Sequence, residues 1–257
     1  MLTPPEIARS LLAAGESKAR LPLGKMLLLA ILAGAYIALA GVGATAAAVT
    51  VESGSLAKLL SACVFPAGLS MVILAGSELF TGNCLMVMAL LERRITPAQL
   101  LRNWLTVYLG NAVGGAAVAA LAVYSHTASL FGDGLARSMV SIAESKAALG
   151  FGDAFLRGVL CNFLVCLAVW MAAASKRAEG KVIALFFPIL LFVLCGYEHC
   201  IANLYYLPAG AFAAAEYGVE TTLTLAGCLK NLAAVTLGNL VGGAALGVGY
   251  RFAYLKE

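Results

Sequence analysis

Apolar residues run almost unbroken over about 26–49, 59–91, 104–124, 155–174, 182–215 and 225–250, separated by short polar stretches. Runs of this length predict membrane-spanning helices, because about 20 residues cross a hydrocarbon core of roughly 30 Å. Two of the runs are too long for one crossing. The stretch 59–91 carries Glu78 as its only charge and as one helix would reach roughly 50 Å; 182–215 carries only Glu198. Each contains the same polar interruption, Gly76-Ser-Glu78-Leu-Phe-Thr81-Gly82-Asn83 in the first and Gly196-Tyr-Glu198-His199-Cys-Ile-Ala-Asn203 in the second. A glutamate and an asparagine at membrane depth are costly unless partnered or wetted, so both runs are expected to break there into two half-helices.

The duplication extends beyond these motifs. Arg102-Asn103 through Gly110-Asn111-Ala-Val-Gly114-Gly115-Ala116 matches Lys230-Asn231 through Gly238-Asn239-Leu-Val-Gly242-Gly243-Ala244 at an offset of 128, against 120 for the motif pair. Phe65-Pro66 and Phe187-Pro188 occupy similar places in the two overlong runs. The expected fold is all-α, with six transmembrane helices in two three-helix repeats and the second and fifth helices broken. Residues 1–125 form the first repeat with its N-terminal segment, 126–152 an outer connection, and 153–257 the second repeat of a single transmembrane domain.

Charge sets the orientation. Arg9, Lys18, Arg20 and Lys25, then Arg93, Arg94 and Arg102, then Lys176, Arg177 and Lys181, then Arg251 and Lys256 fall on one side. Basic residues mark the cytoplasmic face, which predicts cytoplasmic termini in a cell (plasma) membrane. With three spans per half, the second repeat is inverted, an arrangement typical of transporters with a site near the midplane. Composition agrees: 62% of residues are apolar, 12% are charged and 27 are glycines. Such a balance excludes an ordinary soluble domain. Met1 to Lys25 carries six charges and no apolar core, unlike a signal peptide, and Pro4 through Ala14 reads as an interfacial amphipathic helix. All seven cysteines lie in or beside apolar runs without a C-x-x-C pair, so neither a disulfide framework nor a metal site is expected. Cys195, His199, Cys200 and Glu198 fail as metal ligands because the neighbours of His199 cannot share its helical face.

His199 is the one histidine in a membrane run. A buried neutral core histidine is the plain alternative, but an ionisable group at a helix break is a functional candidate, able to donate a hydrogen bond or pass a proton. Glu78 and Glu198 occur in both halves, which favours loop anchors over ion binders. Asn83 and Asn203 are expected to cap the returning half-helices, and Asn111 and Asn239 to bond across close helix contacts. Thr81 stands where the first copy departs from the second, before a helix N-terminus suited to an anion. Leu69, Leu79, Phe80 and Phe192 are candidates for narrowing the path, though each alone fits plain packing.

Together, G-S-E-L-F-T-G-N, L-C-N-F-L-V-C-L-A-V-W at 160–170, G-Y-E-H-C-I-A-N and the two G-N-x-V-G-G-A blocks resemble the formate/nitrite transporter family over essentially the whole chain. The resemblance implies an aquaporin-like protomer in a homopentamer, each with its own pore for small monovalent anions and no cofactor. It makes His199 the central pore histidine, puts Thr81 in the first loop, lines the pore with Asn162, and assigns the constrictions to Phe192, Leu79, Phe80 and Leu69. It also sets Lys146 near the outer mouth. An aquaporin itself is disfavoured, since no Asn-Pro-Ala occurs.

The implied function is conduction of formate, with hydrosulfide and nitrite as the alternatives. Ala202 through Gly210 is closer to formate- or hydrosulfide-conducting members, and Cys200 stands where serine is common in relatives. A bare anion loses its hydration at two apolar rings whereas the neutral acid loses little, so His199 and Thr81 are expected to stabilise or protonate the anion between them. Flux then steepens as pH falls, unless His199 only donates hydrogen bonds. Channel and proton-coupled carrier both fit. Glu16 and Lys18 fit a cytoplasmic gate and a solvated interfacial helix equally. A membrane-embedded enzyme is the rival class, but the chain shows no second membrane histidine at ligand spacing and no nucleotide motif; a purely structural protein needs no histidine at a broken helix.

Overall fold

The computed structural model describes residues 1–255; Lys256, counted above among the basic residues, lies outside them. Among the described residues every regular element is helical. The chain runs α1 (Pro4–Ala19), α2 (Leu23–Ala48), α3 (Gly54–Val64), α4 (Pro66–Ala75), α5 (Phe80–Asn83), α6 (Val87–Leu91) and α7 (Pro97–Tyr124). It continues through α8 (Gly134–Ala148), α9 (Phe151–Ala173), α10 (Ala178–Leu194), α11 (Cys200–Tyr217) and α12 (Leu225–Tyr254). Among the described residues, five helices are long and apolar enough to cross a membrane: α2, the continuous Gly54–Ala75 unit, α7, α9 and α12. The 17-residue α10 and 18-residue α11 flank the second break.

The helix ends follow local chemistry. Thr3 and Glu6 close a capping box on α1, and Thr96 and Gln99 close another on α7, each ahead of a proline in the first turn where no amide hydrogen is needed. Thr224 caps α12 by accepting from the Gly227 amide. The two Phe-Pro pairs behave differently: Pro66 marks the joint between α3 and α4, while Pro188 stays inside α10. A lost amide donor is tolerated where neighbouring helices cover it.

Two tight helix pairs organise the interior. α2 packs on α7 and α9 on α12, with backbones so close that a Cβ on Gly114 would sit 2.0 Å from the Ile31 carbonyl oxygen, and one on Gly242 2.1 Å from that of Val159. Any side chain there would force the pairs apart. Such small-residue contacts are the usual way helices associate without a hydrophobic driving force between them. α1 seals one end, with Ile7 and Ala8 buried against Met88 and Trp170 and the Leu2 amide bonded to the Ala174 carbonyl (2.8 Å).

The 126–152 connection contains a helix that the apolar pattern does not predict. α8 stands to the second half as α1 does to the first, and Lys146 on α8 follows Lys18 on α1 by the repeat offset of 128. α1 and α8 lie toward opposite ends of α2.

Candidate functional site

Each break begins with a glycine in the left-handed region, Gly76 at φ +78° after α4 and Gly196 at φ +69° after α10, a conformation in which a Cβ is strained. The loops that follow are held at the main chain by one asparagine each. The Asn111 side chain (α7) donates to the carbonyls of Ala30 (2.7 Å) and Glu78 (2.9 Å) and accepts from the Phe80 amide (3.0 Å). Asn239 (α12) donates to the carbonyls of Gly158 (2.7 Å) and Glu198 (2.9 Å) and accepts from the Cys200 amide (2.9 Å). Backbone groups at membrane depth need such partners because water and lipid supply none.

Below each loop sits a matching polar tetrad. The Glu78 carboxylate pairs with Lys18 Nζ at 2.6 Å and accepts from Asn83 Nδ2 at 2.8 Å, while the same amide donates to Asn103 Oδ1 at 2.9 Å. Glu198 pairs with Lys146 Nζ at 2.9 Å and accepts from Asn203 Nδ2 at 2.7 Å, and Asn203 donates to Asn231 Oδ1 at 2.8 Å. Both carboxylates are buried, at 6% and 5% exposure, and neither could sit there unpaired. The role of the asparagines differs from the expected one. Asn83 and Asn203 do not cap helices: Leu79 begins α5 without a side-chain cap, and His199 begins α11. An amide with two hydrogens is more useful bridging a carboxylate and an amide oxygen than satisfying one backbone donor.

Between the loops, Thr81 Oγ1 lies 3.0 Å from His199 Nε2. Thr81 belongs to the first turn of α5 rather than to the loop, because Phe80 already starts the helix. The histidine's other nitrogen, Nδ1, accepts from the Ala202 amide at 3.0 Å. An amide hydrogen aimed at Nδ1 places the neutral ring's proton on Nε2, so His199 donates to Thr81 and leaves the threonine hydrogen free to donate onward. Asn162 Nδ2 donates to the Asn239 carbonyl (2.7 Å) and the Thr81 carbonyl (3.2 Å), and Cys166 Sγ donates to the latter as well (3.3 Å). The Phe192 ring stacks on His199 with centroids 5.8 Å apart, and Phe65 meets Phe192 edge-on at 5.7 Å.

Two cavities approach this centre from opposite ends and share no lining residue. On the α1 side, a cavity of about 370 Å³ is lined by Lys18, Leu69, Glu78, Leu79, Gly82 and Asn83, among others. On the α8 side, one of about 530 Å³ reaches Lys146, Glu198 and His199 past Phe65 and Phe192. Leu69, Leu79 and Phe192 therefore border cavities, whereas Phe80 lines neither and packs edge-on against Trp104 and Tyr108. Lys58 and Arg157 line the α8-side cavity without a sequence signal that marks them, and Phe65 and Lys18, noted in the sequence for the repeat and for a cytoplasmic gate, line the cavities as well. The repeat offset makes Lys18 the counterpart of Lys146 and so marks it as a pair-former for Glu78.

A helical membrane protein with cavities entering from both ends toward a buried polar pair has the build of a membrane transport protein. The family model described as "Formate/nitrite transporter" matches residues 5–253. The chain is 39% identical to the "Probable formate transporter" of Methanothermobacter thermautotrophicus, across 99% of this chain and 98% of the relative. It is 40% identical to the "Formate channel FocA" of Haemophilus influenzae, across 86% and 83%. Among solved structures, an "FNT family ion channel" superposes with a TM-score of 0.87 at 32% identity, covering 96% of this chain and 98% of that one. A "Pentameric formate channel with formate bound" superposes at 0.81 with 33% identity, covering 91% and 98%. The chain belongs to the formate/nitrite transporter family, and it is a transporter, not an enzyme.

Proposed function

We propose that this protein conducts small monovalent anions, formate first among them, through a pore in each protomer of a homopentamer. The name of the Haemophilus relative and the description of the pentameric structure support formate and the pentamer. The basic residues, concentrated at the α1 end, support a plasma-membrane location with cytoplasmic termini and α8 outside. The pathway joins the two cavities past Leu69 and Leu79 on one side and Phe192 on the other, with Lys146 in the α8-side vestibule. Asn162 holds the main chain of Thr81 at the midpoint.

The observation that carries the reading is the Thr81–His199 pair with its tautomer set by Ala202. A neutral imidazole donating through Nε2 polarises the threonine hydroxyl, whose hydrogen then meets the carboxylate or its equivalent. Protonating His199 would require Nδ1 to release the Ala202 amide and uncap α11. His199 is thus a positioned donor and not a proton store, and an acid-dependent flux reflects supply of the neutral acid across the apolar rings. The alternatives, nitrite and hydrosulfide, present different acceptor geometries to the same hydroxyl.

Purified protein in proteoliposomes, with stopped-flow uptake of formate, nitrite and hydrosulfide across pH 5 to 8, tests this directly. Formate uptake should exceed the others and should fall in Thr81→Ala and His199→Phe. Uptake unchanged in both variants would sink the central role of the pair.

A further inference from the structure

The two vestibules are not electrostatic equals. The α1-side cavity offers one cation, Lys18, already bonded to Glu78. The α8-side cavity offers three, Lys58, Lys146 and Arg157, against the single carboxylate of Glu198, which Lys146 already engages. Among the described residues, the side chains of Lys58 and Arg157 have no ion-pair or hydrogen-bond partner; only the Arg157 carbonyl is used, accepting from the Glu198 amide at 3.3 Å. Lys58 nevertheless lies close enough to feel the charges of Lys146, Glu198 and Arg157. The repeat shows that these two charges are additions: the position equivalent to Arg157 is Leu29 at the offset of 128, and that equivalent to Lys58 is Gly180 by the Phe-Pro register.

We propose that Lys58 and Arg157, with the hydroxyls of Ser61, Ser138 and Ser141 that line the same cavity, form a binding site for a small dianion of the sulfate or hydrogen phosphate class. The inference rests on the conducting role proposed above and adds a one-sided blocker to it. Two cations left unmatched in a partly enclosed space repel each other, and a dianion satisfies both where a monovalent anion satisfies one. Guanidinium binds tetrahedral oxyanions through paired hydrogen bonds, and serine hydroxyls complete their coordination. Such an ion goes no further. Phe65 and Phe192 present apolar rings on the way to His199, and the desolvation penalty of an ion grows with the square of its charge, so a dianion at the rings faces about four times the barrier of a monovalent one. The site therefore holds the dianion in the path of the smaller substrate, and only on the α8 side.

Isothermal titration of the detergent-solubilised full-length protein with sodium sulfate at constant ionic strength tests binding without reference to flux. Wild type should show saturable binding near one sulfate per protomer. A Lys58→Gln/Arg157→Leu variant should bind about tenfold or more weakly, as expected for losing charge-assisted contacts. Arg157→Lys keeps the charge but not the fork and should fall in between, which protects the result should the double variant fold poorly. In phosphatidylcholine vesicles, sulfate should slow formate uptake by wild type but not by the double variant, each compared with its own uptake without sulfate. No saturable binding by wild type, or equal binding by the double variant, would overturn the site. Sulfate binding that disappears when phosphatidylglycerol is added would assign the cations to a lipid headgroup and overturn it too. Sulfate binding lost in the double variant, alongside absent formate uptake in wild type, would leave this site standing and remove the conducting role instead.

Discussion

The two helix breaks are built on one plan and finished differently. Both have a left-handed glycine, a loop pinned by an α7 or α12 asparagine, and a Lys–Glu–Asn–Asn tetrad with nearly equal distances. At the centre, three equivalent pairs differ most in polarity. His199 stands opposite Leu79 in the repeat, Thr81 opposite Ile201, and Asn162 opposite Gly34. Scaffold is thus needed twice, because each half must satisfy its own buried loop, whereas one pathway needs one polar centre. The residues that bond at the centre are those that break the symmetry.

The comparison breaks most readily at the shared asparagines. Asn111→Ala and Asn239→Ala each strand a loop carbonyl and a loop amide and remove a second bond to a helix carbonyl, and each should lower stability by roughly 2–4 kcal/mol. Thermal unfolding of the two variants in detergent should give similar losses; a large loss in one half only would refute equivalent scaffolding. Next come the ion pairs. Glu198→Gln leaves Lys146, whose side chain is 16% exposed, without its counter-charge, while Glu78→Gln leaves Lys18, at 29%. Breaking a well-buried pair costs about 3–5 kcal/mol, and partial exposure of the lysines reduces this, so losses of about 1–3 kcal/mol are expected, larger for Glu198. Adding Lys146→Met to Glu198→Gln should recover part of the loss in the same unfolding measurement.

The asymmetric centre is probed more finely. His199→Asn retains a favoured N-cap, whose side-chain oxygen can still take the Ala202 amide, but it cannot reach Thr81. Stability should stay within about 1 kcal/mol of wild type, while formate selectivity over nitrite or hydrosulfide falls by about tenfold. A selectivity ratio unchanged in this variant would show that the Thr81 contact does not sort anions. Its pH profile between 5 and 8 should parallel wild type, because the Nδ1 lone pair is already taken by the Ala202 amide; a profile that flattens would restore the proton-relay reading.

The smallest effect concerns another unequal pair. Glu16 on α1 faces Arg94 and Arg20, whereas its counterpart Glu144 on α8 accepts from the Thr222 amide and the Thr221 and Thr222 hydroxyls. The Thr222 amide first, then the Thr221 hydroxyl, holds the Glu144 carboxyl below the usual carboxylate value. Its contribution is therefore complete above about pH 4.5 and is lost as pH falls through the lowered value. Hydrogen exchange over 218–224, taken relative to the intrinsic rate at each pH, should rise on acidification below that point, and Glu144→Gln should raise it at neutral pH. Exchange indifferent to both changes would show that the loop is held by other contacts.

Much of this was legible because membrane chemistry leaves few options. A 33-residue apolar run with one glutamate has to break, and an intramembrane histidine at that break has to find a partner. The α8 helix was not legible, since its mixed polarity carries no apolar run, and only the Lys18 to Lys146 offset marks it. Nor was the use of Asn83 and Asn203, because capping and bridging asparagines look alike until the carboxylate is in place. Phe65 and Phe187 look equivalent in the repeat, yet one borders a cavity and the other is 60% exposed.

By itself, the sequence determined the membrane class, the duplication, the two breaks and the short set of polar residues at depth, because hydropathy and burial cost act locally along the chain. Only the tertiary structure decided which of those residues meet. Thr81 and His199 are 118 positions apart and come from non-equivalent places in the repeat, so no periodicity predicts their 3.0 Å contact. The ring's tautomer, the tetrads and the unmatched cations of the α8-side vestibule likewise depend on distances across helices. Those distances are set where α2 meets α7 and α9 meets α12, at glycines that let the backbones touch.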